Sequence, residues 1–170
     1  MRAILIAAAL VLTAQPAAAE VVARSENGFT LRFVSQVAAD ADRIPASLEA
    51  LPHWWDGAHS YTGEAANLSL DLKPGGCWCE KMPDGTSFDH GRTTSVQPDR
   101  MLFHAPFGPL RGRATRSDLE MTWRREPTGL TLVWTMTVEG VGVGAMADPV
   151  DAVMAAGFRR WATYLETFAA

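Results

Sequence analysis

The sequence predicts an α+β domain: a curved antiparallel sheet of about seven strands around one long C-terminal helix, with two short helices after the first strand. Three observations predict it. Apolar and polar residues alternate in runs from Phe29 to Val138, the period of a half-buried strand. Gly, Pro and Asp punctuate those runs. After Gly144 the period becomes helical, and Val150, Val153, Met154, Gly157, Phe158, Trp161, Leu165 and Phe168 form one apolar stripe. A meander and a single amphipathic helix bury both apolar sides when the helix lies in the concave face of the sheet.

Taken in order, Phe29, Leu31 and Phe33 alternate with polar neighbours and mark a strand that ends near Ala39. Asp40 or Asp42 is placed to cap the helix that follows, in which Ile44, Leu48, Leu51 and Trp54-Trp55 recur at helical spacing. Pro45 fits its first turn, and Pro52 ends it or starts a second short helix. Asn67 to Lys73 alternates again, and Pro74-Gly75-Gly76 bends the chain. Cys77 to Met82 and Phe88 to Val96 form strands around Pro83-Asp84-Gly85-Thr86, read as a two-residue hairpin turn. Arg100 to Ala105, a strand containing Leu119, Met121 and Trp123, and the long run Leu130 to Val138 complete the sheet. Gly140 to Gly144 is a flexible connection able to open a cavity. Asp148 at the cap, Pro149 at the first position and Asp151 in the first turn open the last helix, which should run to about Phe168.

The chain begins as a secretory signal peptide does. Arg2 precedes the apolar run Ile4 to Leu12, and Ala17-Ala18-Ala19 supplies small residues at a cleavage site. Cleavage is expected after Ala19. Residues 1–19 are then a signal peptide and 20–170 a single domain, periplasmic or secreted. The apolar run is short of the roughly 20 residues that span a bilayer, so no stable membrane anchor is expected after cleavage. An exported protein has no supply of ATP. With a net charge of −4 and no basic run, nucleic acid is not an expected partner. Six Trp and seven Phe are enough to fill a core and also to line an apolar pocket. No Gly-x-Ser-x-Gly, phosphate-loop or His-Glu-x-x-His motif is present, and no cofactor is expected.

Several segments together resemble the START-like helix-grip superfamily (SRPBCC), in particular its branch of heat-shock-protein ATPase activator homologues and polyketide cyclase-like proteins. They are Leu51-Pro52-His53-Trp54-Trp55, Leu72-Lys73-Pro74-Gly75-Gly76-Cys77-Trp78, the turn Val96 to Arg100 leading into Met101-Leu102-Phe103, the strand Leu130 to Trp134, and the C-terminal helix. The resemblance implies a cavity between sheet and helix, with Trp78 and Glu80 facing inward. It does not transfer an activity, because members of the superfamily bind lipids, hormones and polyketides or catalyse cyclisation and hydrolysis. The exported chain departs from the branch in its location and in having Cys-Trp-Cys-Glu at residues 77–80.

That segment carries most of the candidate chemistry. Residues two apart on a strand share a face, so Cys77 and Cys79 point together, away from Trp78 and Glu80. A two-residue turn at Asp84-Gly85 places Cys79 opposite His90 and Glu80 opposite Asp89. Cys77, Cys79 and His90 then form a candidate zinc or copper site, open to completion by His53, His59 or His104. A Cys77–Cys79 bridge is the one intramolecular disulfide available. Cα atoms two apart on a flat strand lie roughly 6.6 Å from one another, near the upper limit for bridging, so reduced thiols are the expectation unless Gly75-Gly76 introduces a bulge. Glu80, Asp89 and His90 are candidate acid–base groups. An inward Glu80 in an apolar cavity would have a raised pKa, although a solvated place at the cavity mouth is the default expectation. His53, Trp54, Trp55, Asp56 and His59 cluster as a possible gate.

The function expected from these features is an exported binding protein that holds a small hydrophobic or amphipathic ligand between sheet and C-terminal helix. Trp54, Trp78, Glu80, Phe103, Trp123, Trp134, Phe158 and Trp161 are the candidate ligand-binding residues. The alternatives are a cyclase- or hydrolase-type enzyme using Glu80, Asp89 or His90, and a metal or redox module at Cys77, Cys79 and His90.

Overall fold

A computed structural model describes residues 18–168, so the expected signal peptide lies almost wholly outside the described residues. The chain is α+β. Eight strands form one curved antiparallel sheet, and one long helix follows them: β1 (Ala18–Ser25), β2 (Gly28–Val37), β3 (Leu68–Leu70), β4 (Cys77–Lys81), β5 (Ser87–Gln97), β6 (Arg100–His104), β7 (Arg116–Glu126) and β8 (Gly129–Glu139). Helix α1 (Ile44–Glu49) lies between β2 and β3 among short 3-10 turns, and α2 (Ala147–Thr167) ends the domain. The sheet order is β1-β2-β8-β7-β6-β5-β4-β3. After the β1–β2 hairpin the chain crosses to the far edge, then meanders back until β8 pairs with β2, setting Phe33 opposite Trp134.

The strand expected second in the chain shrinks to three residues, because the backbone turns back at once. The Asp71 amide donates to the Cys77 carbonyl (3.0 Å) and the Gly76 amide to that of Lys73 (2.7 Å). The additional strand is β1, whose Val21, Val22 and Ala23 carry too little alternation to be read as a strand; it gains its order from pairing with β2. The expected cleavage point after Ala19 falls at its second residue.

Alternation sorts the sheet into two faces. Leu130, Leu132, Trp134, Met136 and Val138 of β8 are buried, as are Leu119, Met121 and Trp123 of β7. Fully burying each such side chain stabilises the fold by about 1.5–3 kcal/mol. Helix α2 lies across β1 and β2 and buries Val150, Met154, Phe158, Trp161 and Leu165. Its start differs from expectation. A 3-10 turn over Val143–Met146 feeds directly into the helix, so Met146 occupies the cap, and Asp148 pairs instead with Arg24 of β1 at 2.9 Å. Asp40 precedes the first 3-10 turn but makes no side-chain cap bond, and Asp42 pairs with Arg125 at 2.7 Å.

The β4–β5 hairpin decides the site. The Met82 amide donates to the Thr86 carbonyl and the Gly85 amide to the Met82 carbonyl, both at 2.9 Å. The loop therefore has three residues, Pro83, Asp84 and Gly85, with Gly85 at φ 85° as such loops require. One residue more than the expected turn shifts the pairing: Cys79 faces Asp89 and Glu80 faces Phe88. A bulge then inserts His90, and beyond it Trp78 pairs with Gly91 and Cys77 with Arg92. Gly91 fits there because an added Cβ would lie 2.7 Å from the His104 carbonyl oxygen.

Candidate functional site

A cavity of about 300 Å³ lies between the sheet, the N-terminal half of α2 and two connecting segments. The sheet contributes Leu68, Trp78 and His90; α2 contributes Pro149, Val150, Val153 and Met154. Trp55, His59, Ser60 and Tyr61 form a third wall, and Phe107, Gly108 and Pro109 a fourth. Trp55 meets Trp78 edge-on at 5.4 Å, and Phe107 meets Trp78 at 4.8 Å, so the aromatic walls are packed against one another. Trp55 reaches its place because Gly157 of α2 has no side chain; a Cβ there would lie 2.7 Å from the indole ring. Asp56 ties the same segment down. Its carboxylate accepts from the Ala58 amide at 3.1 Å and from Arg160 of α2 at 2.7 Å. The Ala58 amide leads the interactions that hold the Asp56 carboxyl below the usual carboxylate range.

A buried carboxylate–imidazole pair reaches this lining through His90. Glu80 is 0% exposed, and His90 donates from Nε2 to Glu80 Oε2 at 2.7 Å. The Tyr61 amide donates to the same carboxylate at 3.0 Å and the Thr62 amide at 2.6 Å. Burial pushes the Glu80 carboxyl up, but the hydrogen bonds from Thr62, Tyr61 and His90 outweigh it and hold the group at about 2. Both expectations for Glu80 are therefore corrected: it is neither solvated at the cavity mouth nor raised in pKa, because backbone donors from the 61–62 segment meet it inside. Tyr61 stacks on the His90 ring at 5.5 Å, and Phe88 meets the same ring edge-on at 5.0 Å.

The other candidates are distributed differently from expectation. Asp89 lies on the outer face of the sheet, paired with Arg92, and does not meet Glu80. Cys77 and Cys79 form a disulfide with Cα atoms 5.2 Å apart, closer than on a flat strand. The bulge that accompanies it lies across the hairpin at His90 and not at Gly75-Gly76. The metal reading at Cys77, Cys79 and His90 fails on this geometry: the sulfurs are bonded to one another, and His90 turns to the opposite face. Among the described residues no cluster of His, Cys, Asp or Glu is arranged for a metal ion.

Of the aromatic residues expected to bind ligand, Trp78 forms part of the wall. Trp54, Phe103, Trp123, Trp134, Phe158 and Trp161 lie in the packed core. Trp54 and Trp161 are held there through Ser47: the Trp54 Nε1 donates to its carbonyl (2.9 Å) and the Trp161 Nε1 to its hydroxyl (3.1 Å). Trp134 stacks on Trp161 and meets Phe158 edge-on. His53 stacks on Tyr164 outside the cavity, while Trp55 and His59 are the members of that cluster on its wall. Tyr61, Thr62 and Phe107 were not singled out from the sequence. The backbone N–H groups by which Tyr61 and Thr62 bind Glu80 carry no residue-type signal.

No protein-family model and no curated protein matches the chain. Solved structures do match. An uncharacterised protein from Rhizobium leguminosarum aligns at TM-score 0.60 and 21% identity, over 86% of this chain and 100% of that one. A protein of unknown function from Enterococcus faecalis aligns at TM-score 0.61 and 14% identity, over 91% and 80%. The di-domain ARO/CYC StfQ from the steffimycin biosynthetic pathway aligns at TM-score 0.57 and 13% identity. That match covers 85% of this chain and 52% of StfQ, so the chain spans about half of that protein. At these identities the likeness defines a shared fold.

Proposed function

We propose that this chain is an exported binding protein of the START-like helix-grip superfamily, in its polyketide cyclase-like reach. It holds a small hydrophobic or amphipathic ligand in the cavity between sheet and C-terminal helix. The carrying observation is the cavity itself: about 300 Å³, walled by Trp55, Trp78, Phe107, Val150 and Met154, with two imidazoles, His59 and His90, among its polar groups. Apolar walls supply affinity through buried area, and a few placed polar groups orient the guest. The fold shared with StfQ and with a second di-domain ARO/CYC, BexL, supports a ligand-binding use of this architecture. The Cys77–Cys79 disulfide supports export, since such bonds persist in oxidising compartments.

Native mass spectrometry of the protein isolated from the bacterial periplasm, before and after denaturation, tests the reading. The expected result is a chain beginning at Glu20 with an organic mass that leaves on unfolding. A chain that retains residues 1–19, or one that carries no guest and takes up no apolar fluorescent probe, overturns the corresponding part.

A further inference from the structure

We propose that the Glu80–His90 pair makes the cavity a proton-accepting site for an aromatic ligand that carries one weakly acidic hydroxyl. The inference rests on the binding reading above and names the chemistry of the guest. His90 forms part of the cavity wall, and its Nε2 is committed to Glu80 at 2.7 Å. Its Nδ1 has no protein partner among the described residues, and it is not among the buried polar atoms left without one. With Nε2 carrying its hydrogen toward Glu80, Nδ1 of a neutral imidazole is an acceptor. A hydroxyl held in the cavity therefore finds an acceptor nitrogen there.

The carboxylate orients the ring and fixes its tautomer, which leaves that nitrogen to accept. Glu80 is fixed by two backbone amides that can only donate, so it stays anionic and cannot turn away. When the guest gives up its proton, the O–H bond breaks and the oxygen keeps the electron pair. An N–H bond forms at Nδ1. The imidazolium then lies between the ligand oxyanion and the Glu80 carboxylate, and opposite charges on both sides favour it. The aromatic wall of Trp55, Trp78 and Phe107 favours an aromatic body to carry the hydroxyl. The other titratable groups nearby are differently placed. His59 and Tyr61 are on the wall, but neither side chain is hydrogen-bonded to a carboxylate among the described residues. Asp89 faces outward on Arg92, and Arg111 lies over Phe88 at 4.8 Å.

The test uses the purified full domain with two probes: 4-nitrophenol, whose ionisation is read by visible absorbance, and nitrobenzene, which lacks the hydroxyl. Quenching of tryptophan fluorescence from Trp55 and Trp78 reports occupancy, and absorbance reports ionisation of the bound phenol. Both probes are expected to quench. Bound 4-nitrophenol should titrate about one pH unit below free, which is a tenfold change in its ionisation equilibrium. That shift should vanish in His90→Gln. Nitrogen NMR of the unaltered protein should show the His90 ring protonating on addition of 4-nitrophenol but not of nitrobenzene, a readout that needs no variant. Quenching by both probes with no shift, or a shift that persists in H90Q, overturns the proton-accepting pair and leaves the binding reading standing. Absence of quenching by either probe overturns the binding reading and this inference with it.

Discussion

Glu80 shows how a single residue's behaviour is fixed by its donors and not by its burial alone. Removing a carboxylate from water disfavours its charge, yet three convergent hydrogen bonds reverse the balance and hold the group at about 2, below its ordinary value of 4.5. A depressed folded-state value stabilises the protein above the ordinary value, and that contribution is lost as pH falls from 4.5 toward about 2. Glu80→Gln should therefore lower stability at neutral pH by about 1–3 kcal/mol, because one oxygen becomes a donor facing donors. Urea titrations of both proteins across acid pH check this, and the gap should narrow as the wild-type carboxylate protonates. A gap that is constant with pH would mean that Glu80 acts only by packing.

At the scale of elements, α2 and the segment after α1 meet through Gly157 and Trp55. Replacing Gly157 by Ala adds helix propensity worth about 1 kcal/mol. It also drives a Cβ to 2.7 Å from the Trp55 ring, and overpacking of this kind costs about 1–3 kcal/mol. The second effect is the larger, so G157A should lose about 1 kcal/mol net and displace Trp55 from the cavity wall. Thermal unfolding with tryptophan emission is the check; a raised midpoint with unchanged emission would show that the ring yields freely. The β4–β5 hairpin teaches a related lesson. Asp84-Gly85 correctly marks a turn in the sequence, but loop length sets register. One extra loop residue, balanced by the bulge at His90, separates the imidazole from the cysteines and brings it to Glu80.

For the whole molecule, the cavity is the part of the interior that the aromatic core leaves open. A guest that binds the folded chain alone stabilises it by mass action, by about 2.7 kcal/mol at a hundredfold excess over its Kd. In a domain of this size that raises Tm by about 5–10 °C. Met154→Trp, which fills the cavity from α2, should abolish the ligand-dependent rise. A rise that survives the substitution would place the guest elsewhere.

The order of elements from β2 to α2 is legible in the amino-acid chain, as is the alternation that assigns the buried faces of β7 and β8. The hydrophobic stripe of α2 is legible in the same way, because strand and helix periods are local consequences of where side chains point along the backbone. Residues 77–80 stand out as unusual in the sequence, with His90 expected across the hairpin from Cys79. Their arrangement was decided by tertiary structure. Inward orientation of Trp78 and Glu80 comes from the pairing of β4 between β3 and β5, which turns both side chains to the buried face. Protonation of Glu80 depends on amides eighteen and nineteen residues earlier in the chain. Whether an indole packs the core or walls the cavity depends on neighbours from other elements: Trp54 and Trp161 find Ser47, whereas Trp55 and Trp78 border open space. Those contacts join distant segments, and no local period encodes them.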